Sequence, residues 1–145
     1  MEMIESFMSG IEGFNAMSGM VNITIWVGIF YLLHLFLTMG LSLHKVPFVN
    51  WTHAGGDISN MTEMSSRVMQ ASENLRQSLP IFFAFSILSV VIMVDNLLLA
   101  RFWLVLRIIY LIGALANFYT NPYVRPLIWL PSIVILFLMG VSLYY

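Results

Sequence analysis

Cysteine is absent from this chain of 145 residues, which excludes disulfides, thiolate nucleophiles and Cys-ligated zinc or iron–sulfur sites in any compartment. Any thiol chemistry has to use a thiol carried by a substrate. Charge is scarce as well: Asp, Glu, Lys and Arg make up 9% of the residues, where a soluble domain carries about 25%. The six Lys and Arg form no run, and the formal net charge is −1. The chain therefore has no electrostatic footprint for nucleic acid. His44 and His53 lack a ligand-like spacing with any carboxylate, so metal binding is not supported. Apolar side chains, by contrast, are plentiful: 60% of the residues are hydrophobic and the mean hydropathy is +0.89. Too little polar surface is left to coat a water-facing globule, so the bilayer must take the place of water.

One membrane domain is expected over 1–145, all α-helical, with four spans at about 21–43, 77–94, 97–118 and 126–145. The first stretch carries no formal charge and is long enough to cross a hydrocarbon core of about 30 Å. His44, Lys45 and Pro47 close it, and a polar loop follows through Trp51, Gly55, Gly56, Asp57 and Asn60. Helical propensity resumes near Met61. The stretch from Glu63 to Leu79 is polar but free of Pro and Gly, so the second helix starts well outside the membrane. Pro80 should remove one backbone hydrogen bond and kink it. Asp95 and Asn96 mark a tight turn, and Thr120 to Tyr123, TNPY, ends the third span. The N-terminus, MEMIESFMSG, lacks a positive n-region and a small-residue cleavage site, so it is not read as a removable signal peptide. In 1–20, Ile4, Phe7, Met8 and Ile11 recur at helical spacing with Glu2, Glu5 and Glu12 opposite. That segment reads either as an amphipathic helix at the interface or as a frayed acidic tail.

Basic residues in loops favour the cytoplasmic side. Lys45, Arg67 and Arg76 fall between spans one and two and Arg125 between three and four, with Arg101 alone on the other side. Both termini are therefore expected outside. Within the spans, Arg107 stands out, because a charge at the centre of a span costs roughly 2.5–3.5 kcal/mol on insertion scales. Tyr110, Ala114 and Asn117 share its helix face, which must point into a bundle. Two readings stay open: an arginine bridging helices to a carboxylate or carbonyl, and one lining a site. Arg67, Gln70, Ala71, Asn74, Gln77 and Ser78 likewise share one face of the second helix, as a wet surface or as the wall of a site, while Glu73 and Arg76 lie elsewhere. His34, Thr38 and Ser42 line up on span one, where a lone His more often hydrogen-bonds a neighbouring helix than acts in catalysis. The Met and aromatic residues read as lipid-facing or packing material, with Trp26, Trp51, Trp103 and Trp129 suited in part to interfacial anchoring.

The string RVMQASENLRQSLP, from Arg67 to Pro80, resembles the signature of the MAPEG superfamily, membrane-associated proteins in eicosanoid and glutathione metabolism. That signature runs approximately E-R-x-x-R-A-x-x-N-x-x-E-x-x-P. Arg67, Ala71, Asn74 and Pro80 match it, whereas Ser66, Gln70 and Gln77 replace Glu, Arg and Glu. A second segment, ARFWLVLRIIYLIGALANFYTNPYVRPLIW, is similar to the family's third span and its exit, with Arg107 and Tyr110 in an R-x-x-Y pattern. The resemblance implies a bacterial-type homotrimer in the inner membrane, with glutathione as co-substrate bound between subunits near the cytoplasmic side. It implies transfer of glutathione to lipophilic electrophiles, or reduction of lipid hydroperoxides. Arg125 would then stabilise the thiolate as catalytic residue, and Arg67, Gln70, Asn74, Gln77, Arg107 and Tyr110 would bind. Arg suits the first role because it stays charged and a thiol needs a nearby cation to ionise at neutral pH. Gln77 cannot pair ionically with an ammonium, and Gln70 removes a positive charge, so the alternative is a non-catalytic protein of the same fold that holds a lipid or other small molecule between subunits.

Overall fold

The computed structural model describes residues 2–52 and 54–144, and for residues 7–16 the backbone only. Helix α1 spans Glu2–Gly40, α2 Phe48–Thr52, α3 Glu63–Val91, α4 Leu97–Leu115 and α5 Val124–Ser142, with a short 3-10 turn at Phe118–Thr120. Four of these are long and apolar enough to cross a membrane: Met17–Gly40 within α1, and the whole of α3, α4 and α5. They pack as a four-helix bundle in which α1 lies along α3, α3 along α4, and α4 along α5. The N-terminal segment is continuous with the first span, not a separate piece. Its 39 residues make a rod of about 57 Å, nearly twice the hydrocarbon thickness of ~30 Å. Glu2 and Glu5 are exposed on it; the side chains of Phe7, Met8, Ile11 and Glu12 lie outside the described residues.

A seam of 3,4 spacing explains the packing. On α3 the buried positions include Ser65, Val68, Ser72, Leu75, Leu79, Phe82, Ser86 and Ser89, and on α4 they include Ala100, Trp103, Arg107, Tyr110 and Ala114. This is the a/d pattern of helices that wind around one another. Four of these α3 positions are serines, small enough to let backbones approach where apolar contact gains nothing over lipid. Around them, Met20, Val27, Leu75, Phe82, Trp103 and Met139 form the interior. Trp103 takes the packing role, not the anchoring one: it is fully buried and stacks on Phe82 with ring centroids 4.2 Å apart. Trp26 and Trp129 stay exposed, as do Ile29, Leu32, Phe36, Ile87, Phe102, Ile108, Leu130 and Phe137, the faces left to lipid.

Local signals set the helix ends. Thr62 caps α3 by accepting a hydrogen bond from the Ser65 N–H, and Ser42 accepts one from the Thr62 N–H at 2.8 Å. The polar row His34, Thr38 and Ser42 is buried; Ser42 also bonds Ser65, tying the end of α1 to the start of α3. α3 runs through Pro80 unbroken and ends in a Schellman motif, with the Val94 N–H on the Ser89 carbonyl at 2.9 Å and the Met93 N–H on that of Val90 at 3.3 Å. Met93 takes the left-handed conformation where glycine is usual. Asn96 is buried beyond it, donating to Ser89 Oγ at 2.9 Å and accepting from Ser142 Oγ at 2.6 Å, which joins α3 to α5 at this end. At the other end α4 stops at Leu115, short of the expected 118, because Asn117 turns left-handed at φ 61°.

Candidate functional site

The loop between α4 and α5 folds back over α3 and closes a pocket of about 470 Å³ lined by Arg67, Gln70, Tyr110, Asn117, Tyr119 and Arg125, among others. A shallower groove of about 320 Å³ adjoins it, with Gln70, Glu73, Asn74, Gln77 and Arg125 on its walls. Gln70 and Arg125 thus border both. Of the seven residues expected at a site, four line the pocket and two more the groove. Arg107 lines neither. It lies underneath, 2% exposed, in the packed seam, which is the helix-bridging one of its two expected readings.

There, Arg107 donates through Nη1 to Asn74 Oδ1 and through Nη2 to Ser78 Oγ at 2.9 Å. Its guanidinium also faces the rings of Trp103 and Tyr110 at 5.5 and 5.8 Å, a cation–π arrangement that helps offset lost hydration. Its partners are an amide, a hydroxyl and aromatic faces; among the described residues no carboxylate answers it. The bridge between α3 and α4 is therefore neutral on one side, and it fixes the Asn74 carbonyl at the edge of the groove.

Above it, two arginines are anchored to α4. Arg125 Nε donates to Tyr110 Oη at 2.6 Å. Arg67 Nε donates to the Ala114 carbonyl at 2.7 Å, and its Nη2 reaches the Leu115 carbonyl at 3.5 Å. These carbonyls lie at the C-terminus of α4, past the regular helical bonding, where a cation also meets the negative end of the helix dipole; that of Ala114 accepts from the Asn117 N–H at 3.3 Å as well. Among the described residues the one ion pair is Arg76 with Glu73, at 2.8 Å on the exposed side of α3. Arg67 and Arg125 leave the mouth of the pocket positive.

Tyr119 is the residue the sequence reading missed. Its Oη donates to the Tyr110 carbonyl at 2.6 Å and its ring lies 5.1 Å from that of Tyr110, so it props the loop against α4. Burial pushes its phenol up to about 12, reinforced by the neighbouring Tyr110 and opposed by Arg125 and Arg107, which keeps the donor protonated. A signal for it exists in Gly113: a Cβ there would meet Tyr119 Oη at 2.7 Å, so the glycine makes room for the ring.

These features define an integral, multi-pass membrane protein with a cationic polar site at one end of a four-helix bundle. The chain belongs to the MAPEG family, whose family model matches residues 23–145. That membership supports, at family level, a membrane-bound and glutathione-related function of transferase or peroxidase type. Comparison with curated proteins and with solved structures finds no match.

Proposed function

We propose that this protein is a membrane-bound, glutathione-dependent transferase or peroxidase that acts on lipophilic electrophiles or lipid hydroperoxides. One observation carries the reading: Arg125, oriented by Tyr110, borders both pocket and groove and has no carboxylate partner among the described residues. A cation so placed favours ionisation of a bound thiol, each unit of pKa depression being worth about 1.4 kcal/mol. The thiolate attacks a substrate arriving laterally from lipid, and binding and orientation supply most of the acceleration. No covalent enzyme intermediate is needed, in keeping with the cysteine-free chain.

A homotrimer is part of the proposal. Gln70, Glu73, Arg76 and Gln77 are exposed along α3, a helix that enters the bilayer, and a neighbouring protomer would cover such a polar strip. The basic residues Lys45, Arg67, Arg76 and Arg125 cluster at the site end, which supports a site on the cytoplasmic side and both termini outside. The bacterial inner membrane is the compartment that the resemblance implies.

The test is direct. Detergent-purified protein is expected to conjugate glutathione to 1-chloro-2,4-dinitrobenzene or to reduce cumene hydroperoxide. Arg125→Ala should lower kcat/KM by about 10–100-fold, the equivalent of one to two pKa units, with the oligomer unchanged by size. Absence of both activities, together with no glutathione binding at millimolar concentration, overturns the reading. It would favour the second one, a non-catalytic binding protein, to which a lipid-facing groove of about 550 Å³ between α3 and α5, lined by Ile81, Phe85, Ile133, Leu136 and Phe137, lends specific support.

A further inference from the structure

The charge inventory of the site is one-sided. The pocket wall contains two guanidinium groups, Arg67 and Arg125, and not a single carboxylate; its other polar members, such as Gln70, Asn117 and Thr120, are neutral. Both arginines are pinned through Nε. A guanidinium has five N–H donors, so Arg125 keeps both terminal nitrogens, and Arg67 keeps Nη1, for a guest. The adjoining groove contributes one acid, Glu73. Its Oε2 already accepts from Nε and Nη2 of Arg76, at 3.1 and 2.8 Å. An anion entering here meets two uncompensated cations. An ammonium group meets the same two cations as repulsion, and the one carboxylate that this protomer brings to the groove is already paired with Arg76.

We infer that the site recognises an anionic thiol through its carboxylates alone and gives no ionic recognition to an amino group. Thiols whose amine is acylated or missing are then ligands at least as good as glutathione. Resting on the thiol-binding function proposed above, this names the substrate class of the same pocket. A planar, bidentate arginine end suits a carboxylate, whereas a buried or half-buried ammonium without an acid partner loses hydration for nothing in return.

The experiment is calorimetry on the full chain in detergent, under reducing conditions, titrated separately with glutathione and with N-acetylglutathione. The Kd for the acetylated thiol is expected to be lower than, or within about threefold of, that for glutathione, since no charge-assisted bond is lost. Gln77→Glu, which places an acid on the groove, should shift the preference toward glutathione by about tenfold. Arg67→Gln should weaken both ligands by the same factor. Glutathione binding more than about threefold tighter than its acetylated form overturns the inference and leaves the thiol-binding function standing. Loss of neither ligand in Arg67→Gln also overturns it. Binding of neither thiol to the unmodified chain overturns both.

Discussion

At Arg107 the cost of burial falls on the partners. A guanidinium that is 2% exposed has its Nη1 and Nη2 directed at Asn74 and Ser78. Removing an acceptor strands a charge, while removing the arginine strands only neutral groups, one of which, Ser78 Oγ, already donates to the Leu75 carbonyl at 3.0 Å. Asn74→Ala is therefore expected to destabilise by about 1–3 kcal/mol, and Arg107→Met by less, since apolar replacement of a buried ion is often neutral or better. Thermal unfolding in detergent, followed by circular dichroism, checks the order; a larger loss in Arg107→Met would refute it. Tyr119 gives a second residue-scale expectation. Its phenol is raised to about 12 in the folded chain, above the ordinary value of about 10. In that interval the unfolded chain has lost a proton that the folded one keeps, so stability falls as pH rises from about 10 to about 12 and is flat in this respect below. The ultraviolet absorbance of phenolate should show one tyrosine titrating late, and Tyr119→Phe should remove that step.

Among the elements, the exit of α4 decides whether a pocket exists. Asn117 ends the helix with a left-handed residue, the 3-10 turn carries Tyr119 back, and Gly113 leaves it space. Gly113→Ala puts a methyl within 2.7 Å of Tyr119 Oη and 2.9 Å of Cζ. Overpacking of this kind costs about 1–3 kcal/mol. The loop should shift, and the Tyr119 bond to the Tyr110 carbonyl should break. Loss of activity in Gly113→Ala, partly rescued by adding Tyr119→Phe, is the expected pattern; unchanged kinetics would show that the strut does not shape the site. None of this was legible from helical periodicity, because Tyr119 sits outside any helix and its fit depends on a side chain that is absent. The heptad seam of α3 was overlooked for a related reason: serines hold half of its buried positions, and a search for apolar stripes passes over them. Face-sharing did bring Arg67, Gln70, Asn74 and Gln77 to one side of α3, where two of them line the pocket and three the groove.

For the molecule as a whole, composition and charge-free runs were enough to identify a four-span α-helical membrane bundle, because satisfying the backbone in lipid leaves few other solutions. What they could not give was the partner of the intramembrane charge: Arg107 was open to bridging helices or lining a site, and the structure puts it in the seam with Arg125 on the rim. The long first helix adds a practical consequence. A rod nearly twice as long as the hydrocarbon core is thick must protrude, and it does so from the end opposite the arginines. With no native thiol anywhere, Glu5→Cys would install one reporter on that overhang and Tyr123→Cys, at a position 76% exposed, another at the far rim. In sealed, right-side-out vesicles an impermeant maleimide should modify the first at once and the second only after lysis. The opposite result would invert the topology, turning the arginine-lined mouth toward the outside.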